Sequence, residues 1–340
     1  MHKVKQYVKQ VNRTHRGLGK LYGMALVATK AKKCMITIAP AGCGKSTVTN
    51  ALRNLDWIET RIYDSVTRGA LRFIAKELSG FNGLVVIDDM GKIDTQYSRM
   101  ATTTTFAELC YSHFIRKLTM TLNINVEDFY GSAILNIQPS VFSGLIEGAE
   151  WEAVIRDKTL RYYHLHRPIK SCEEPIRVKP EKGIPINQVS FPNRRSKMYR
   201  LLEAIGRIQW SRARVHEHLT DLLRACAALD RRTRIGVQDY HLLYYLMKPM
   251  VAERFLVDKS GFELGRWFNS NAFCILVELA SYPELTPRHI ADDYHVAPST
   301  VNRLLSTVTE YCFLKSNSPE AVIPTKFGMK VLEVIGAYEP

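Results

Sequence analysis

Residues 39–47 read APAGCGKST and follow directly on the apolar run Cys34-Met35-Ile36-Thr37-Ile38. A short apolar strand, a loop of small residues and a Lys-Ser-Thr that opens a helix leave a chain few folds. A turn that tight points successive backbone N–H groups, here from Ala41, Gly42, Cys43, Gly44, Lys45, Ser46 and Thr47, toward one spot. The helix behind it presents its positive end to the same spot, which is the layout of a phosphate cradle. Lys45 is placed to reach the outer phosphates and Ser46 to sit on a Mg²⁺ ion. Gly42 and Gly44 supply the close backbone approach. Ala39 stands where the familiar pattern has glycine, but at a strand end, where ordinary dihedrals suffice.

Residues 83–89, Gly-Leu-Val-Val-Ile-Asp-Asp, read as a buried parallel strand ending in two carboxylates. In open α/β sheets ligands sit at that edge. Asp88 is the candidate metal group and Asp89 the candidate general base. Adjacent carboxylates repel, and that repulsion itself argues for a cation. A third apolar run, residues 132–137, carries Asn136 near its end.

The chain of 340 residues has a formal net charge of +14, which makes a polyanion the expected partner. No Asp or Glu precedes Asp56, whereas Lys3, Lys5, Lys9, Arg13 and Arg16 lie in the first 16 residues. A second basic stretch runs through Arg194, Arg195, Lys197, Arg200, Arg207, Arg212 and Arg214. The N-terminus lacks the apolar core of a secretory signal, and no apolar run is long enough to span a membrane. Seven scattered cysteines with no CxxC pair read as reduced thiols, which points to a cytoplasmic, nucleoid-associated or equivalent location.

These three segments together resemble the AAA+ P-loop ATPases: APAGCGKST as Walker A, LVVIDD as Walker B, and Asn136 as the polar "sensor 1" on a strand lying between them. The resemblance implies an α/β core with a parallel sheet and ATP with Mg²⁺ as cofactors. It also implies an arginine acting on a neighbouring subunit's nucleotide, here Arg156 with Arg161 as the alternative. A helix over residues 140–155 and a last strand over 159–165 fit the same pattern. Residues 222–229 and 237–246 resemble the closing lid helices of minichromosome-maintenance helicases and origin-recognition initiators. Arg224, or in its place Arg214, is then the lid residue that reads the γ-phosphate. The chain departs from the family in two places. Walker B ends Asp-Asp where many members have Asp-Glu, which implies slow hydrolysis. Residues 166–193 are rich in proline, an extended linker or small insertion to which no function attaches.

From Phe268 the pattern changes. An amphipathic helix over residues 272–280 precedes a short helix after Thr286, a turn at 295–297 and a second helix from Pro298. Ile290, Val296, Val301 and Leu305 stand where a helix-turn-helix packs. Two short strands and a Pro-Thr-Lys-Phe-Gly end follow, and the whole resembles a winged-helix domain. Ser299, Thr300, Asn302 and Arg303 are the expected DNA contacts of its second helix, with Lys315 in the wing.

The expected domains are a basic N-terminal arm or helix (1–22), an AAA+ core (23–166), a Pro-rich connection or insertion (167–194), an all-α lid (195–262) and a winged helix (263–340). The resemblance implies an oligomeric, ring- or filament-forming, ATP-hydrolysing machine on DNA, an initiator, helicase loader or helicase-like motor, with a replication or transposition protein as partner. Two other readings compete: an ATP-switched DNA-binding regulator or transposition helper with slow turnover, and a protein-remodelling ATPase.

Overall fold

The structure, a computed structural model, describes residues 1–119, 122–165, 174–192, 197–256, 275–277, 279–280, 285–293, 296–310, 314–318 and 321–334. Five parallel strands form the central sheet: β1 (Cys34–Ile38), β2 (Thr60–Tyr63), β3 (Leu84–Ile87), β6 (Ser132–Ile137) and β7 (Thr159–Tyr163). Their order is β2-β3-β6-β1-β7. The strand that carries Asn136 therefore pairs with both the loop strand β1 and the acid strand β3. Strands β1, β3 and β6 are buried throughout, as a parallel sheet covered on both faces demands.

Alternation along the strands divides their side chains between two cores. Ile36, Ile38, Val85, Ile87 and Leu135 face α4 (Arg68–Leu78) and α5 (Gln96–Ser112). Met35, Leu84, Val86, Ile134 and Leu160 face α2 (Gly19–Lys30) and α3 (Lys45–Arg53). Between α5 and β6 an antiparallel hairpin projects, β4 (Ile115–Thr119) with β5 (Leu122–Val126). The expected helix over 140–155 is divided. It runs as α6 (Pro139–Ile146), turns at Gly148, and resumes at Trp151, whose buried ring meets Phe142 edge-on at 5.2 Å.

Helices α8 (Met198–Gln209), α9 (Arg212–Leu229) and α10 (Val237–Met247) occupy the span read as a lid. They share one hydrophobic core with α1 (Lys3–Thr14), α2 and the sheet. A buried polar network adds to this. Glu253 accepts from Arg161 Nε and Nη2, both at 2.8 Å, from Gln209 Nε2 at 2.8 Å and from Tyr163 Oη at 3.1 Å. The bidentate fork satisfies both ions in a site where an unpaired charge is strongly destabilising. Arg161, fully buried in that pair, is thereby removed as a group that reaches a neighbouring subunit.

Of the arm or helix expected at the N-terminus, the helix is what the structure shows. Residues 3–14 form a helix that buries Val4, Val8 and Val11, so the first 22 residues belong to the packed fold. Lys3 is not without acidic partners: its Nζ meets Glu181 at 2.8 Å and its backbone N–H donates to Asp230. Lys5 lies over the Tyr245 ring.

At the start of α9, His218 stacks on Trp210 at 4.6 Å and its Nε2 bonds the Asp157 carbonyl at 2.8 Å. Burial first, then the positive charge of Lys33, pushes its pKa down to about 3. The unfolded imidazole binds a proton below about pH 6.5, so stability is whole above that value and falls as pH drops from there toward 3. Acidification from pH 7.5 to 5 is expected to cost about 2 kcal/mol through this residue. Chemical unfolding of wild type and His218→Gln across that range is the measurement. The variant should show a shallower pH slope, and an identical slope would exclude His218 as its source.

Of the expected C-terminal helix 272–280, residues 275–277 and 279–280 are described and helical. Helices Pro287–Asp293 and Pro298–Glu310, an antiparallel pair β8 (Leu314–Ser318) and β9 (Ala321–Pro324), and helix Lys326–Val334 follow. Ile290, Val301 and Leu305 are buried. Val296 is 37% exposed and is not a packing contact, a correction with a simple cause: it lies in the turn outside both helices. Residues 167–173 of the Pro-rich segment, with Arg194 and Arg195, lie outside the described residues.

Candidate functional site

The loop after β1 is bent by two left-handed glycines, Gly42 at φ 74° and Gly44 at φ 78°. Gly44 caps α3, and a Cβ there would lie 2.8 Å from Leu18, so sterics and dihedral both require glycine. Leu18, buried at the start of α2, props the loop from behind. Ala39 is buried and extends the strand, its N–H donating to the Ile137 carbonyl at 3.1 Å; a glycine is not needed there. Cys43 is buried, whereas Ala41, Gly42 and Ser46 face outward.

Lys45 folds back over the loop, its Nζ donating to the carbonyls of Ala39 at 2.6 Å and Pro40 at 2.8 Å. Burial pushes its ammonium below the usual lysine value, against the opposing pull of Cys43, Asp89 and Asp88. Those attractions place both acids within electrostatic range of the lysine.

Asp88 is where the three sequence segments meet. Its Oδ2 accepts from Ser46 Oγ at 2.9 Å, and its Oδ1 from Asn136 Nδ2 at 3.1 Å and Thr49 Oγ1 at 3.3 Å. Ser46 and Asp88 together are a hydroxyl and a carboxylate, hard oxygen donors of the kind Mg²⁺ takes when phosphates and water complete its shell. Asn136 is 1% exposed, and its Oδ1 is a buried acceptor with no hydrogen-bond partner among the described residues.

The adjacent Asp89 points elsewhere. Its Oδ1 accepts from the Gly91 N–H at 2.8 Å and caps the short turn Met90–Lys92. The two carboxylates therefore do not confront one another. They lie just beyond β3, where the chain turns into Met90–Lys92, and each finds its own donors, so their repulsion is no argument for a cation.

The arginines are placed differently. Arg156 makes a two-pronged bond to Glu152 at 3.0 and 2.8 Å and lies just before β7, at the edge where the strands begin. The loop is at the edge where β1 ends, so within one chain the two do not meet. Arg214 is held by Glu217 at 3.0 Å and stacks on Tyr111, at the end of α5. Arg224 is one turn from Asp221, which pairs with Lys33 at the start of β1. Its buried Nε has no hydrogen-bond partner among the described residues. The structure brings neither arginine to the loop. Ser299, Asn302 and Arg303 are exposed and Thr300 half-buried on helix Pro298–Glu310. Lys315 lies in β8 opposite Ile323.

Thr49 and Leu18 are the site residues that sequence reasoning missed. The signal for Thr49 was its place three residues after Ser46, on the same face of one helix.

The fold and this site define a parallel α/β protein with a glycine-bent loop facing a carboxylate. No protein-family model matches the chain, and no curated protein matches it. Among solved structures it is similar to the RuvB Holliday junction branch migration motor of Thermotoga maritima, at 14% identity, covering 96% of this chain and 95% of that one, with a TM-score of 0.27. A single-substitution variant of the same RuvB gives 14% identity, 94% coverage of each chain and a TM-score of 0.28. Scores of this size carry neither an activity nor a partner over to this chain.

Proposed function

We propose that this protein is an AAA+-type ATPase that works on DNA as an oligomer. The observation that carries the reading is the Asp88 carboxylate, held by Ser46 from the loop helix and by Asn136 from the intervening strand. Loop, acid strand and polar strand lie side by side in the order β3-β6-β1, so three segments scattered over about a hundred residues serve one spot.

In this reading the loop N–H groups and Lys45 bind the β- and γ-phosphates. Ser46 and Asp88 would hold Mg²⁺, which when bound neutralises phosphate charge. Asp89 accepts the proton of the attacking water, and Asn136, through its hydrogen bond to Asp88, fixes the carboxylate beside it. Arg156 supplies its charge to the nucleotide of an adjacent subunit, since its own loop is at the far edge of the sheet. Mixing Arg156→Ala with Lys45→Ala protein is the check: restored turnover in the mixture, absent from either alone, is expected. No restoration after proven subunit exchange returns Arg156 to a surface ion pair.

The C-terminal elements support a winged helix that contacts DNA. Thr286 and His289 cap one helix reciprocally, Thr325 caps the last through the Gly328 N–H, and an antiparallel pair lies between. Arg303→Ala is expected to weaken a preferred duplex by about 1–3 kcal/mol and other duplexes less. ATP turnover measured with and without duplex DNA tests the whole reading. DNA-stimulated multiple turnover is expected. Turnover indifferent to DNA, with no duplex binding at physiological salt, replaces it with protein remodelling. One feature favours the slow, switch-like variant: the Asp89 side chain is short and its Oδ1 is already engaged by Gly91.

A further inference from the structure

Residues 174–186 of the Pro-rich segment are not a loose linker. They are pinned across α1, α2 and α3 by bonds that their backbone makes. His15 Nε2 bonds the Glu174 carbonyl at 2.7 Å, Trp57 Nε1 donates to Pro180 O at 3.0 Å, and Lys30 Nζ donates to Lys182 O at 2.7 Å. Beyond them the Ile184 N–H reaches the Ala228 carbonyl at 3.0 Å. Gly183, at φ 69°, passes so close to α9 that an added Cβ would lie 2.2 Å from Ala228 O. Prolines suit a segment with no ladder, because they have no N–H to satisfy.

Anchoring fixes which side chains face out. Ile176 and Pro180 are buried and Val178 half-buried, whereas Arg177, Lys179 and Lys182 are exposed. Arg53, at the end of α3, joins Arg177 and Lys179 around a cavity of about 440 Å³. Lys30 continues the row beside Lys182, over the Trp57 ring. Two carboxylates lie near: Asp56 lines the cavity and Glu174 is 3.8 Å from Arg177. Glu181, the remaining acid of the strap, is taken by Lys3 and Arg231. The crowding is felt by Lys30, whose pKa is lowered to about 8, first by burial and then by Lys182 and Lys32.

We infer that this strap is a phosphate-backbone contact surface for duplex DNA, formed by Arg53, Arg177, Lys179 and Lys182 and separate from the winged helix. A row of cations fixed to a rigid ridge matches a linear polyanion, which releases counterions at each phosphate neutralised. A membrane surface is the less suited partner. The apolar residues of the strap point inward, and none of the exposed large hydrophobic side chains among the described residues belongs to it. The inference extends the DNA-acting reading above and is separable from it.

The test is a triple variant, Arg53→Ala with Arg177→Ala and Lys179→Ala. Its comparison is a control that removes three exposed cations elsewhere, Arg72→Ala, Lys76→Ala and Arg116→Ala. Binding to a random-sequence duplex is titrated against salt, and thermal melting confirms that both variants fold. The strap variant is expected to bind about 10- to 100-fold more weakly near 0.1 M salt, with a log–log salt slope shallower by roughly 2–3. The charge-conserving Arg177→Lys should bind as wild type does. A strap variant that matches the control overturns the inference, whatever Arg303→Ala does. Loss of DNA binding in the strap variant and not in Arg303→Ala keeps the strap and removes the winged-helix contact. Unchanged DNA binding with lost binding to phosphatidylserine vesicles also overturns it, in favour of a lipid surface.

Discussion

Replacing Lys45 by alanine is expected to weaken ATP binding at least about 100-fold, or ~3 kcal/mol. The ammonium sits over the loop on the Ala39 and Pro40 carbonyls, half-buried and close to both acids. A triphosphate entering the loop exchanges two neutral acceptors for charged ones, the stronger class of hydrogen bond. Its negative charge also opposes the effect of burial, which holds the lysine below its usual value. Alanine removes the charge and the clasp that closes the loop. Lys45→Arg is not a conservative rescue, because its planar fork is longer and does not fit the two carbonyls as a compact ammonium does. Calorimetric titration with ATP and Mg²⁺ measures the loss. A thermal-shift series provides an independent check, since a ligand that binds only the folded chain raises its melting temperature by an amount that grows with the logarithm of its affinity. Wild-type affinity in Lys45→Ala would remove the loop from the site altogether.

The site was legible in sequence where local pattern carries it. The glycines at 42 and 44, Lys45, Ser46 and the acids at 88 and 89 all lie in short runs whose period announces buried strands, and the structure gathers them at one sheet edge. The position of Asn136 beside Asp88 was readable only through the resemblance, because strand order is a long-range property that no local pattern encodes. The hairpin of β4 and β5 was illegible for another reason: the residues joining it, Thr-Met-Thr-Leu, include no Gly, Asn or Pro to mark a turn. Charge misled most. The run of Lys and Arg before the loop reads as an arm or a helix without acidic partners, yet its Val4, Val8 and Val11 recur at helical spacing, and that apolar stripe decides its place. The acid that meets Lys3 is Glu181, too distant in sequence for any window to pair them. Arg161 shows the same limit, since the burial of an arginine depends on a Glu253 that only the fold supplies.

Asp89→Asn should keep ATP bound and lower turnover by about 100- to 10,000-fold, the range of a lost general base. The substitution is isosteric, and the amide oxygen can still accept from the Gly91 N–H, so the cap at Met90–Lys92 survives. What is lost is the basicity of the carboxylate alone. Asp88→Asn should act otherwise. Both oxygens of Asp88 accept hydrogen bonds, from Ser46 on one side and from Asn136 and Thr49 on the other. An amide must turn its NH₂ toward one of these donors, leaving at least one polar group facing another donor at a cost of about 1–3 kcal/mol. That variant should melt lower and lose the Mg²⁺ dependence of nucleotide binding, whereas Asp89→Asn retains both. Single-turnover hydrolysis and ATP titrations with and without Mg²⁺ separate the two outcomes. If Asp88→Asn spares Mg²⁺-dependent binding and Asp89→Asn destroys it, the two acids exchange roles, and the carboxylate that Ser46 and Asn136 hold is the base.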